Sequence, residues 1–85
     1  METMETIILR NLIHNESYTR RVVPFLDEDY FKDRNERVVF TLIRDHIHKY
    51  NRSPNCDALN IALDNRGGMS EQGYKDSTII IKTIT

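Results

Sequence analysis

Asp33-Arg34-Asn35-Glu36-Arg37-Val38-Val39-Phe40-Thr41-Leu42-Ile43-Arg44-Asp45-His46-Ile47-His48-Lys49-Tyr50 is the stretch that decides the fold class. Val38/Val39, Leu42/Ile43, Ile47 and Tyr50 recur at three- and four-residue steps, which lays one apolar stripe along a helix of about four turns. Asp33 and Glu36 have the spacing of a capping box, with Asp in place of the usual Ser or Thr. The stop is equally plain, because Asn51 to Pro54 pushes the backbone out of the α region. A helix over 33–51 is therefore the anchor, and its buried stripe demands partners.

Upstream, Ile8, Leu9, Leu12 and Ile13 share one helical face over 4–14, with Glu2 and Glu5 at the end where the helix dipole favours anions. The Met-Glu-Thr that opens the chain and repeats from Met4 reads as a trivial duplication or an alternative start. Asn15 and Ser17 interrupt this helix. A second one over 16–26 has Val22, Val23, Phe25 and Leu26 as its apolar side, and Pro24 shortens or bends it. Downstream, Asn55 caps a helix over 55–64 whose Cys56, Leu59, Ala62 and Leu63 face inward, and Asn65-Arg66-Gly67-Gly68 ends it. Ser70 offers a cap for a last helix over 70–84. There local propensity dissents: seven of the nine residues from Ser77 to Thr85 are β-branched, the signature of a strand. No other segment reads as a strand, and an unpartnered strand leaves its backbone groups unsatisfied. The segment is assigned as helix. The expected architecture is all-α, a single domain over 1–85 formed by a small orthogonal bundle of about five helices. Its core would hold Ile8, Leu9, Leu12, Val39, Phe40, Ile43, Leu59 and Leu63.

Composition narrows the function. The 85 residues carry twelve Lys and Arg against thirteen Asp and Glu, a formal net charge of −1. A dedicated nucleic-acid surface usually needs a strong basic excess. The local excess from Lys32 to Arg52, six basic against three acidic residues, is spread around an amphipathic helix and reads as a solvated face. No apolar run exceeds three residues, so no membrane span is expected. The acidic start lacks the apolar core of a signal peptide. One cysteine excludes an internal disulfide and a cysteine-based zinc site. Neither Gly-x-x-x-x-Gly-Lys-Ser/Thr nor Gly-x-Gly-x-x-Gly occurs.

The reactive residue types do not assemble into a site. His46 and His48 stand two apart, about 200° around a helix, and cannot chelate one ion together; His14 is remote in sequence. Cys56 lies on an apolar helical face, where a free thiol packs as a small hydrophobe. Asp27-Glu28-Asp29 lacks the glycine and ligand spacing of a calcium loop and reads as a solvated turn. No catalytic, cofactor-binding or metal-binding residue is expected. A helix-turn-helix regulator is the rival from another class, since 38–85 runs helix, turn, helix, turn, helix. Its third helix would open with Glu71, Gln72, Gly73, Tyr74, Lys75 and Asp76, whose charges cancel where phosphates would have to be held.

The ordered series is recognisable as a whole. Ile7-Ile8-Leu9-Arg10-Asn11-Leu12-Ile13 leads to Val23-Pro24-Phe25-Leu26. Asp29-Tyr30-Phe31 and Arg37-Val38-Val39-Phe40-Thr41-Leu42-Ile43 follow, then Tyr50, Pro54, Asn55 and Ala58-Leu59-Asn60-Ile61-Ala62-Leu63. From about Met4 to Ile84 this resembles the N-terminal domain of the DnaB-type replicative DNA helicases. It is most similar to those of T-even-type phages, whose chains begin much like Met4-Glu5-Thr6-Ile7-Ile8-Leu9. One departure is Glu36, where bacterial members often carry His.

The resemblance implies a head without catalytic residues, preceding a helical hairpin, a linker and an ATP-hydrolysing motor. ATP and Mg would belong to that motor, which this chain lacks; the chain would be an excised domain cut before the hairpin. Such heads associate as the collar of a hexamer and dock the primase within the primosome, coupling unwinding to primer synthesis. The implied partners are other helicase subunits and primase, with DNA met only through the full hexamer, in the cytoplasm of a bacterial host. The last helix carries Ile79, Ile80, Ile81 and Ile84 on more than one face. Together with Tyr74 they form the expected partner or oligomer surface. The competing possibility is that this helix is the buried centre of the bundle.

Overall fold

Capping side chains delimit nearly every element of the protein. A computed structural model describes residues 3–85; Met1 and Glu2, and with them the expected helix-dipole role of Glu2, lie outside the described residues. Thr3 caps α1 (Met4–His14), its hydroxyl accepting from the Thr6 amide at 3.2 Å. Asn15 has extended φ/ψ and does double duty. It closes α1 through its own amide, which donates to the Asn11 carbonyl, and it caps α2 (Glu16–Val22) through its side chain, which accepts from the Tyr18 amide at 3.0 Å.

The expected helix over 16–26 is shorter than that. Pro24 has no amide proton to continue the ladder, so α2 ends at Val22 and a 3-10 turn, Val23–Phe25, takes over. The turn buries Val23 and leaves the Phe25 ring 87% exposed, against the expectation that Phe25 faces inward. A second 3-10 turn, Glu28–Tyr30, is capped by Asp27 and delivers Phe31 into the interior.

Helix α3 spans Arg34–Tyr50. The carboxylate of Asp33 accepts from the amides of Asn35 (2.7 Å) and Glu36 (3.3 Å), which is the forward half of a capping box. The Glu36 side chain turns instead toward the hydroxyls of Thr6 and Thr3 on α1. Asn51 terminates α3 in the left-handed region (φ 58°, ψ 32°), a conformation that Asn tolerates better than other side chains bearing a Cβ. Asn55 caps α4 (Cys56–Arg66), accepting from the Ala58 amide at 2.8 Å. Gly67 and Gly68 both adopt positive φ, 64° and 71°, to leave it. Ser70 caps α5 (Glu71–Ile84), accepting from the Gly73 amide at 3.0 Å.

Helix α5 answers the question its β-branched sequence raises. It packs against α1, α3 and α4, and its inward line of Ser77, Ile81 and Ile84 is buried. The hydroxyls of Thr78, Thr83 and Thr85 donate to carbonyls four residues back, at 2.9, 2.8 and 2.6 Å. Burial along one helical face thus overrides local strand propensity, and no strand occurs among the described residues.

The core joins Leu9 and Leu12 of α1, Val39, Phe40 and Ile43 of α3, Leu59 and Leu63 of α4, Ile81 and Ile84 of α5, and Phe31. Ile8 packs against that cluster from a half-buried position. Phe31 and Phe40 stack at a centroid distance of 4.9 Å. The radius of gyration, 11.8 Å, is the value of about 12 Å expected for a well-packed chain of this length. The whole is an all-α bundle.

Candidate functional site

The residues expected on a partner surface separate into two groups. Ile79 is 61% exposed and Tyr74 41% exposed, both on the outer side of α5. Ile80 is half-buried against the core. Ile81 and Ile84 are 0% and 1% exposed, so they belong to the core and leave the partner set. The reason is helical spacing: Ser77, Ile81 and Ile84 stand four and three residues apart and turn together toward the other helices. Tyr74 is also tied down, its hydroxyl donating to the Asp64 carboxylate of α4. That hydrogen bond, and then the negative charge of Asp64, hold the phenol pKa above its ordinary value.

The histidines and the cysteine occupy separate places. The His14 ring nitrogen Nε2 donates to the Ile84 carbonyl at 2.9 Å and ties the end of α1 to the end of α5. His48 is exposed. His46 stacks on Tyr50 at 4.6 Å, and burial, then the nearby charge of Arg52, hold its pKa below the ordinary histidine value. Cys56 packs against the core, with Sγ 3.5 Å from Asn60 Nδ2. Among the described residues no three His, Cys, Asp or Glu side chains gather as a metal-ligand set. No described helix is long and apolar enough to cross a membrane.

The surface feature with the most shape is a groove of about 580 Å³ between α3 and α4. Leu42, Tyr50, Ala58, Ile61 and Ala62 give it an apolar floor and wall, and His46 lies along it. Ile61 is 61% and Tyr50 53% exposed, more than an ordinary bundle leaves to solvent on facing helices. Lys49 and Arg66 stand at its margin with Asp45. The Asp45 carboxylate lies 3.7 Å from Arg44 Nε, while Lys49 and Arg66 have no carboxylate in ion-pair range among the described residues. Sequence periodicity had placed Tyr50 in the buried stripe and had no signal for Ile61. The groove exists because α4 is short and carries Ala58 and Ala62 where bulkier side chains would have closed it.

The opening of α5, the segment that would read DNA in a helix-turn-helix, is neutralised internally. Lys75 pairs with Glu71 at 3.6 Å. Asp76 accepts from Gln72 at 2.9 Å and from Asn35 of α3 at 3.5 Å. Its polar groups are spent on the protein itself.

No family model matches the chain. Over 79 residues, 93% of its length, it is 39% identical to a protein of Enterobacteria phage T4 described as a DnaB-like replicative helicase. The chain spans only 17% of that protein's length, so what it matches is a segment of a replicative helicase.

Proposed function

We propose that the chain is a non-catalytic assembly and docking unit of a DnaB-type replicative helicase, serving DNA replication in the cytoplasm of a phage-infected bacterium. The observation that carries this is the 39% identity sustained over 93% of the chain to a segment of the T4 helicase. Near-neutral charge and the lack of a phosphate-binding loop in the sequence agree with a role in contacts rather than chemistry. In this proposal the ATP and Mg of unwinding are held elsewhere in the full helicase. The chain supplies contacts to other subunits of the hexamer and a docking face for the primase. The exposed apolar side chains Ile61, Tyr50 and Ile79 supply such contacts, because large apolar groups left in water are stabilised by a partner that covers them.

Isothermal titration of the chain with its cognate primase tests the docking role. Binding at tens of micromolar, weakened by Ile79→Asp or by Ile61→Asp, is the expected result. Absence of heat at that concentration would count against docking. A salt-dependent shift of duplex DNA at submicromolar chain would favour the helix-turn-helix alternative instead.

A further inference from the structure

The α3/α4 groove has a counterpart on the same molecule. The segment Phe25-Leu26-Asp27-Glu28-Asp29-Tyr30 projects the most exposed large apolar side chain of the described residues, Phe25 at 87%, beside a half-exposed Tyr30. Between them stand three exposed carboxylates, none of them in an ion pair among the described residues. The two 3-10 turns hold this knob in shape, with Leu26, Tyr30 and Phe31 amides donating to carbonyls within the segment or just before it. The groove offers the complement: an apolar trough with Ile61 and Tyr50 in it, and Lys49 and Arg66, both free of ion pairs, at its edge.

Knob and groove cannot meet within one chain. The Glu28–Tyr30 turn packs against the front of α3, where Arg37 Nε donates to the Phe31 carbonyl at 3.2 Å. The groove begins at Thr41 and follows α3 to its far end at Tyr50. A helix of 17 residues is about 25 Å long, so the two surfaces lie toward opposite ends of it.

We infer that the Phe25–Tyr30 knob of one copy seats in the α3/α4 groove of a second copy, Phe25 entering the apolar trough and the carboxylates facing Lys49 and Arg66. Because the two patches differ, the contact is heterologous, head to tail, and propagates from copy to copy until rotation closes it into a ring. This deepens the assembly role proposed above and rests on it. The contact is small, in the class below about 1,200 Å² that gives weak association on its own. Tethering in a larger assembly would raise its effective concentration.

Sedimentation equilibrium of the chain tests the pairing. Wild type should associate with a Kd between about 0.1 and 1 mM at low salt, and more weakly as salt screens the charges. The variants E28K/D29K, K49E/R66E and F25A should each weaken association at least tenfold, with helical circular dichroism unchanged because all five side chains are on the surface. An equimolar mixture of E28K/D29K with K49E/R66E should regain wild-type strength, since the reversed charges again oppose one another. In a C56A background, a mixture of F25C and I61C chains should form the 25–61 disulfide in preference to 25–25 or 61–61.

A chain that stays monomeric to about 1 mM overturns the inference, and primase titration still decides the docking role separately. Association that all three variants leave intact also overturns it, while the assembly role stands on a different surface. If the same variants abolish primase binding and spare self-association, the groove belongs to the primase and the inference falls.

Discussion

At the scale of single residues, the core was legible and two of its members were not. Leu9, Leu12, Val39, Phe40, Ile43, Leu59 and Leu63 lie at helical spacing and are buried to within 1%. Phe31 lacks any periodic context, standing between a 3-10 turn and a cap, yet it is fully buried against Phe40. Phe40→Ala or Phe31→Ala should therefore each cost about 3–5 kcal/mol in denaturant titration, a large share of the ~4–13 kcal/mol a domain of this size holds. A loss below about 1 kcal/mol at either would contradict the packing described. Ser77 is the opposite case. It is fully buried, and its hydroxyl has no hydrogen-bond partner among the described residues. Ser77→Ala should raise stability by about 1 kcal/mol, because a desolvated hydroxyl is replaced by a methyl of nearly equal size. A destabilised variant would show that the hydroxyl is satisfied in solution.

Glu36 adds a pH dependence at the same scale. Burial, then the carboxylates of Asp33 and Glu5, hold its pKa above the ordinary value, against hydrogen bonds from Thr6 and Thr3. A carboxyl whose pKa is raised on folding binds more protons in the native state. Its contribution is full below the unfolded-state pKa and is lost as pH rises through the folded-state value. Glu36→Gln should therefore gain stability relative to wild type as pH climbs out of the acid range, with the gain complete by neutrality. A constant difference across that range would contradict the assignment.

At the scale of elements, caps were more informative than propensities. Ser70, Asn55 and Asp33 mark helix starts in the sequence, and each caps the helix it precedes. Propensity failed for α5, because a β-branched run carries no information about which neighbours will bury it. That outcome depends on α1, α3 and α4 presenting a concave site of helical pitch. Nor could periodicity separate Ile81 and Ile84 from Ile79, since a continuous isoleucine run supplies apolar side chains to every face. Asn15 is the element-scale residue to test. It both stops α1 and caps α2, so Asn15→Ala should cost about 1–2 kcal/mol, at the upper end for a lost N-cap. Hydrogen exchange should localise the loosening to α2 and the adjoining turn.

At the scale of the whole molecule, function was legible only through resemblance. The signature consists of apolar and turn residues in order, and such residues specify a bundle without specifying a partner. The groove and the knob were hidden for a related reason. Each is assembled from residues that are unremarkable in sequence, and the groove needs two helices side by side before it exists. What the structure adds is a surface on which assembly can be argued. Ile61, Tyr50, Phe25 and Ile79 are exposed, while the histidines, Cys56 and the start of α5 are engaged within the protein or dispersed over it.

The central claim is that this chain is the interchangeable assembly and docking segment of a replicative helicase. It is tested most directly by exchanging the matching segment of the T4 helicase for residues 1–85 and measuring the assembly state and DNA unwinding of the chimera. A chimera that assembles and unwinds DNA as the parent does, and that binds the primase cognate to residues 1–85, is the predicted result. A chimera whose grafted segment folds, by helical content and cooperative melting, but which neither assembles nor binds that primase would contradict the account.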